Sequence, residues 1–589
     1  MRLSPRSSTF SMRRGRGIAA AGVTVAVAVA TFGIALSAPA GAAPGCRVDF
    51  SASNWGGGGG FTANLHVTNL GDPVAGWTLT FAFPGNQRVT PPGWSATWSQ
   101  AAGSANVSAT NLDWNRNLAT GQAFDMGFNG TFTGTNATPT GFSLNGTLCT
   151  GTAPPPTTTP PPTTTPPPPP PGNKVDNPYA GARVYVNPDW AAQANAEPGG
   201  SRVANQPTGV WMDRIAAING TTGARGLVGH LDEAVRQAAG QPLVIQFVIY
   251  DLPGRDCSAL ASNGELGPTD IGRYRTEYID PIAAIFARPA YANLRIVTVV
   301  EIDSIPNLVT NVSPRPTSTP NCDVMKANGN YITGVGYALS KFGPLANVYN
   351  YIDIGHHGWL GWDDNFGATA DLLFQTANAS GSTKDNVWGF ISDTANYGAT
   401  TEPFFTINDS VAGRPVREAA SWIDFNRYVD ELSYAQAFRA RAVQSGFNSN
   451  VGMLIDTSRN GWGGAARPTG PGPMTDANAF VDGGRLDRRI HLGNWCNQAG
   501  AGLGARPTAA PAAGIDAFVW IKPPGESDGS STAIPNNEGK GFDRMCDPTY
   551  TGNPRNNNHM SGALPGAPLS GHWFSAQFQE LMRNAFPPL

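Results

Sequence analysis

Residues 242–251 read PLVIQFVIYD, a largely apolar run rich in β-branched and aromatic residues that stops at Asp251, with Asp256 close behind. The form recurs downstream. RIVTVVEID (295–303) stops at Asp303, VYNYID (348–353) at Asp353, GMLID (452–456) at Asp456, and AFVWIKPPGESD (517–528) passes Glu526 to reach Asp528. A carboxylate is costly to bury unless it is paired or has chemical work to do. Acids repeated at strand ends therefore predict a sheet or barrel whose C-terminal edge is a reaction site.

Helix-like stretches separate these runs: HLDEAVRQAAG (230–240), IGRYRTEYIDPIAAIFA (271–287) and WIDFNRYVDELSYAQAFRARAVQSG (422–446). Repeated strand–helix units over residues 173–589 predict a parallel α/β barrel of the TIM type with long loops. Residues 44–150 read differently. FTANLHVTNL, GWTLTFAF, QAFDMGFNGTF and GFSLNGTLC are strand-like, punctuated by Pro-Gly, Gly-Asp and Asn-Gly turns, and predict an all-β sandwich. Between the two lies GTAPPPTTTPPPTTTPPPPPPG (151–172). Such a tract buries no core; at about 3.1 Å per residue it is a semi-rigid polyproline II spacer of roughly 50–60 Å. Its threonines are candidate O-glycosylation sites.

With 589 residues, more than one domain is expected. A formal net charge of −3 excludes an electrostatic footprint for nucleic acid or an anionic membrane. Charged residues make up only 14%, and 15 tryptophans suit stacking on uncharged ligands such as sugar faces. Arg13, Arg14 and Arg16, the apolar run Ile18–Leu36 and the small residues up to Ala43 follow the order of a secretory leader. A membrane anchor is the competing reading. The Ala/Val-rich run and the small residues after it favour export with cleavage near residue 43, and an extracellular monomer; the arginine pair is a weak twin-arginine match. Cys46, Cys149, Cys257, Cys322, Cys496 and Cys546 show no metal-type spacing, and an even count in an exported chain argues for disulfides. Cys46 and Cys149 bracket the β segment, so three bridges sequential along the chain are expected.

In the β segment Trp55, Trp94 and Trp114 sit beside turn-like residues, whereas Trp77 lies inside an apolar strand and reads as core. The exposed three form a planar strip for a polymer surface, or all four are core. The terminal cysteines, GWTLTF, the ending GFNGTFTGTNATPTGFSLNGTLC and the spaced tryptophans resemble a family 2 carbohydrate-binding module. That resemblance implies cellulose binding by Trp55, Trp94 and Trp114. Trp98 has no place in it.

The large segment holds no GxSxG or HExxH, and the glycine run 56–60 lacks the GK[ST] of a phosphate loop. It does hold YDLPGRDCSALASNGE (250–265), VVEIDSIPNLVTN (299–311), YIDIGHHGWLGW (351–362) and WIKPPGESDG (520–529). In this order the four motifs resemble glycoside hydrolase family 6. The resemblance implies a distorted barrel of parallel strands and hydrolysis of β-1,4-glucan with inversion. Such cleavage needs one acid for the leaving oxygen and one base for water, and an acid active near neutrality needs a raised pKa. The match implies Asp303 as general acid, Asp256 as the carboxylate that tunes it, and Asp528 as candidate base. It places Tyr250 and Ser262 near the water and the reacting sugar, and Lys522 and Glu526 on sugar hydroxyls. His356 is implied to contact substrate, and Trp190, Trp359, Trp362 and Trp495 to be sugar platforms. Arg255, adjacent to Asp256, is expected to lower its pKa, and Asp353 to be structural.

Adjacent His356 and His357 point apart on an extended strand, and no compact acidic or thiolate set accompanies them in sequence, so no metal and no cofactor are expected. Gly/Pro/Asn-rich insertions near 363–415, 459–485 and 526–565 suit a roofed tunnel. They favour a cellobiohydrolase acting from non-reducing ends. The alternatives are an endo-acting glucanase of the same family and a non-catalytic cellulose-binding protein.

Overall fold

Strand Leu243–Ile249 is buried at every residue, as a parallel strand covered on both faces must be. Its neighbours Arg295–Val300, Val348–Asp353, Gly389–Ser392, Gly452–Asp456 and Ile515–Val519 follow in spatial order, all parallel. Arg183–Val184 and Val210–Met212 both pair with Leu243–Ile249 on its other side, and Thr508–Ala512 adds an antiparallel hairpin. These data come from a computed structural model, which describes residues 46–55, 59–70, 73–119, 122–149, 174–221 and 223–589. The leader (1–43) and the Pro/Thr tract (151–172) lie outside the described residues. The chain divides into two compact units, Met1–Thr164 and Thr165–Leu589.

In the larger unit the sheet curls but does not close. Where a complete barrel would pair its first and last strands, Gly209 N–H donates to Trp520 C=O and Trp211 Nε1–H to Ile521 C=O, each at 2.9 Å. Alternate residues of the strands build two cores. Ile245, Phe247 and Ile249 face the helices, while Val244, Val248, Val297, Val299, Tyr349 and Tyr351 fill the inside of the curl. Helices Leu227–Ala238, Asn330–Phe342, Asp363–Ala377 and Glu431–Ser445 supply the outer layer. The helix expected over 422–446 starts only at Glu431. Asp430 caps it by accepting Ser433 N–H at 2.8 Å, and its second oxygen accepts Glu402 N–H at 3.0 Å. Trp422 and Ile423 instead pack into a satellite core with Val416 and Phe480. No described helix is long and apolar enough to cross a membrane.

The smaller unit is a sandwich of a four-stranded and a five-stranded antiparallel sheet. Phe61, Phe81, Phe83, Phe128 and Phe142 pack between them with Trp77. The three disulfides join Cys46–Cys149, Cys257–Cys322 and Cys496–Cys546.

Candidate active site

Three of the acids at the strand ends hold backbone. Glu301, after strand Arg295–Val300, accepts the N–H groups of Asp251 and Leu252 on the neighbouring strand's end, together with Tyr274 OH. Asp353 accepts Asp303 N–H and Gly355 N–H, each at 3.2 Å. Asp456 accepts the N–H groups of Ala395, Ser458 and Lys522, from three separate loops. These buried carboxylates clamp backbone, and so fix the loops that carry the reacting groups.

Asp303 is different. Its backbone is left-handed, φ 53°, as is that of Asp256 at φ 50°. Non-glycine residues held there store strain that concentrates at functional sites. Among the described residues no protein group hydrogen-bonds the Asp303 carboxyl, which lines a cavity of about 350 Å³. Burial pushes its pKa well above the ordinary carboxylate range, and the charges of Asp256, Asp353 and Asp528 push the same way. Ser262 Oγ donates to Asp256 Oδ2. Asp256 is itself raised to about 7, chiefly by burial.

Arg255 does draw Asp256 downward, as expected, but the net shift is upward because burial is the larger effect. The Arg255 guanidinium is hydrogen-bonded to the carbonyls of Tyr250, Asp213, Ser262 and Asn263 and lies 3.8 Å from Asp251, so its pull on Asp256 is the smaller effect. Asp528 Oδ2 takes Tyr397 OH at 2.6 Å, Asn497 N–H at 2.8 Å and Arg459 Nη1 at 2.9 Å. Its Oδ1 takes only Arg459, at 2.8 Å, which leaves that oxygen a lone pair for a water.

Tyr250, Asp256, Ser262, Asp303, His356, Trp359, Trp362, Trp495, Lys522 and Asp528 all line the one cavity. Two expected members do not. Trp190 is 1% exposed, packs on Phe578 and donates its indole N–H to Pro524 C=O, so it is a core residue and no sugar platform. Glu526 lies outside the cavity wall. It is held near Lys522 and Asp213, its pKa raised to about 7 by burial. Lys522 is buried and lowered for the same reason; its ammonium donates to Ser527 C=O and sits 5.0 Å from the Trp211 ring.

Trp211, Trp422, Asn396 and Arg555 line the cavity without having been expected, and Arg459 and Tyr397 hold Asp528. Trp211 carries a legible signal, because its run VWMD also ends in an acid. With only three residues in the strand Val210–Met212, that run lacks the length that marks the others.

In the smaller unit, Trp55 is 51% and Trp94 38% exposed, on the same outer face of the four-stranded sheet. Each stands opposite a glycine, Gly60 and Gly127, and a Cβ at either would collide with the indole, so both rings lie down against the sheet. Trp114 is on the helical turn Asp113–Asn115, and its side chain lies outside the described residues. Trp77 is core, as expected. Trp98 is core too, packing on Phe128 at 4.6 Å and donating its indole N–H to Trp94 C=O.

Comparison with known proteins decides the lineage. Residues 175–585 match the description "Glycosyl hydrolases family 6". The chain belongs to that family. Residues 46–149 match "Cellulose binding domain". Exoglucanase A of Cellulomonas fimi is 52% identical over 433 residues, which is 70% of this chain but 49% of that protein, so the match spans about half of the relative's length. The 1,4-beta-D-glucan cellobiohydrolase C of Emericella nidulans is 33% identical over 431 residues, covering 70% of this chain and 79% of its own. Among solved structures, the catalytic domain of Cellulomonas fimi Cel6B shares 50% identity with a TM-score of 0.68, covering 71% of this chain and 97% of its own. Humicola insolens cellobiohydrolase II, solved with glucose and cellotetraose, shares 30% identity at a TM-score of 0.53, covering 70% of this chain and all of its own. The family 6 sheet is a curled parallel half-barrel in this chain too, with no strand ladder among the described residues joining Val210–Met212 to Ile515–Val519.

Proposed function

We propose that this protein is an exported cellulase that hydrolyses β-1,4-glucosidic bonds with inversion and releases cellobiose from non-reducing chain ends. The observation that carries the reading is the Asp303 carboxyl: half-buried, its pKa held well above the ordinary range, without a protein hydrogen bond among the described residues, and facing a cavity walled by Trp211, Trp359, Trp362 and Trp495. A carboxyl kept neutral near pH 7 is what protonation of a glycosidic oxygen requires. Indole faces pack against the C–H faces of glucosyl rings. Water on the opposite side of the sugar gives its proton to Asp528 Oδ1, directly or through a second water, while Ser262 and Asp256 hold the approach. The relatives named exoglucanase and cellobiohydrolase support the substrate class.

The exo reading is supported by contacts that fasten one rim of the cavity. Arg555 Nη1 donates to Ser258 C=O at 2.9 Å, its other nitrogens reach Thr317 C=O, Leu260 N–H donates to Asp543, and Gly541 N–H donates to Leu260 C=O. The late insertion is thus stitched to the loop that bears Asp256. Trp55 and Trp94, with Trp114 expected beside them, would hold the enzyme on cellulose.

Asp303→Ala should reduce kcat on soluble cello-oligosaccharides by about 10³-fold or more while leaving adsorption to crystalline cellulose unchanged. Retained hydrolysis would refute the acid assignment. On carboxymethyl cellulose, reducing sugar should appear with little early viscosity loss; a steep early drop would assign the endo mode instead.

A further inference from the structure

His356, Asp393 and Glu431 come from three separate segments: the turn before helix His357–Leu360, the end of strand Gly389–Ser392, and the first residue of helix Glu431–Ser445. Each brings one ligand-type atom to within 4.8 Å of the other two. They are 7%, 0% and 0% exposed.

Each residue is anchored by other contacts while keeping an atom open. Asp393 Oδ1 accepts Gly398 N–H at 3.0 Å, and Glu431 Oε1 accepts His357 N–H at 3.0 Å and pairs with His357 Nδ1 at 2.6 Å. The buried His356 Nδ1, Asp393 Oδ2 and Glu431 Oε2 have no hydrogen-bond partner. Three orphaned polar atoms in one small region call for a physical reason, because each forfeits its hydration with nothing in return.

The neighbouring cationic groups do not reach these atoms. His357 bonds Glu431 through Oε1 and not Oε2, and the Arg489 guanidinium is already shared among Asp487, the Asn396 side chain and the carbonyls of Leu492 and Asn494. Asp353 and Asp456, the other neighbouring carboxylates, are committed to backbone N–H groups. The two buried acids therefore stand beside one histidine bonded to Glu431 Oε1 and one arginine engaged elsewhere.

We propose that His356, Asp393 and Glu431 form a binding site for a divalent first-row transition-metal cation, with Zn²⁺ as the best match to one imidazole and two carboxylates. Two carboxylates balance the charge of the ion, and water completes a four-coordinate shell. Ligation through Nδ1 leaves the other ring nitrogen of His356 for the cavity that this residue lines. The ion would pin the ring orientation and cross-link three loops at the strand ends. The adjacent histidines gave no hint of it because the two acids arrive from distant segments.

The test uses the full-length protein, stripped with EDTA, returned to chelator-free buffer and titrated with ZnCl₂, with metal counted after gel filtration. About one equivalent should be retained and thermal unfolding should shift upward by several degrees at saturating metal. Asp393→Asn, nearly isosteric, should weaken Zn²⁺ binding by about 10-fold or more. His66→Ala, which removes the exposed His66–Asp125 pair in the other unit, should leave the stoichiometry unchanged. Co²⁺ added to the stripped wild type should give the intense visible absorption of a low-coordinate site, a readout that needs no variant. Substoichiometric retention in the wild type, full retention in Asp393→Asn, or an aqua-like Co²⁺ spectrum would each overturn the proposal. So would a melting temperature that responds to pH but not to Zn²⁺, since protons would then balance the two carboxylates.

Discussion

Asp303 and Asp251 are both aspartates after parallel strands, one half-buried and one fully buried, and their surroundings separate them. Asp303 faces a cavity among other acids, so its raised pKa is chemically usable. Asp251 faces no substrate: it is fully buried, neither carboxyl oxygen has a hydrogen-bond partner, and burial raises it to about 9. A folded pKa above the unfolded value means that stability is fully present below roughly pH 4 and is lost as pH rises toward the folded value. Asn does not titrate and avoids that loss. Asp251→Asn should therefore match the wild type near pH 4 and exceed it near pH 8 by on the order of a few kcal/mol, as read from denaturant unfolding at the two pH values. Equal stabilities at pH 8 would show that Asp251 is solvated in a way its burial does not reveal.

At the scale of elements, the strand ends act as couplers. Asp456 gathers backbone N–H groups from the loops of Ala395, Ser458 and Lys522, so one carboxylate aligns three segments of the cavity wall. Hydrogen bonds to a charged acceptor contribute about 1.5–3 kcal/mol each, and unpaired buried donors cost comparably. Asp456→Ala should lower the melting temperature and also depress kcat, while Asp456→Asn, which keeps one acceptor oxygen, should recover part of both. In the smaller unit the coupling runs between strands. The three atoms nearest to a Cβ at Gly60 all belong to the Trp55 indole, Cζ3 at 2.6 Å. Gly60→Ala should displace that ring and weaken cellulose adsorption several-fold, with the far-UV spectrum unchanged. Unchanged adsorption would exclude the Trp55 face from cellulose binding.

For the whole molecule, the division into two units predicts separable roles. Deleting residues 44–150 should lower activity on crystalline cellulose severalfold and spare activity on soluble glucan, because tethering acts by raising local substrate concentration. Equal losses on both substrates would show that the binding unit contributes to the active site itself.

Much of this was legible before folding. Runs such as RIVTVVEID carry period, length and a terminal acid in one stretch, and ordered motifs around Asp256, Asp303, His356 and Asp528 mark the family. Local pattern failed where burial is decided by remote chain. Trp190 reads as a platform until Phe578 and Pro524, from the far end of the chain, cover it. Trp211 stands in a strand too short to be read from pattern, and only the fold brings it to the cavity wall. Arg255, beside Asp256 in sequence, does pull its pKa down, yet burial by the surrounding chain outweighs that pull.

By itself, then, the amino-acid sequence determined the two units, the parallel strands with acids at their ends, the sequential disulfides and the family, because those depend on periodicity, composition and motif order along the chain. Only the tertiary structure decided which acid is free and which is a clamp, which tryptophans are walls and which are core, and that His356 meets Asp393 and Glu431. Desolvation and partner geometry set those properties, and both depend on residues that are distant in sequence and adjacent only once the sheet has curled.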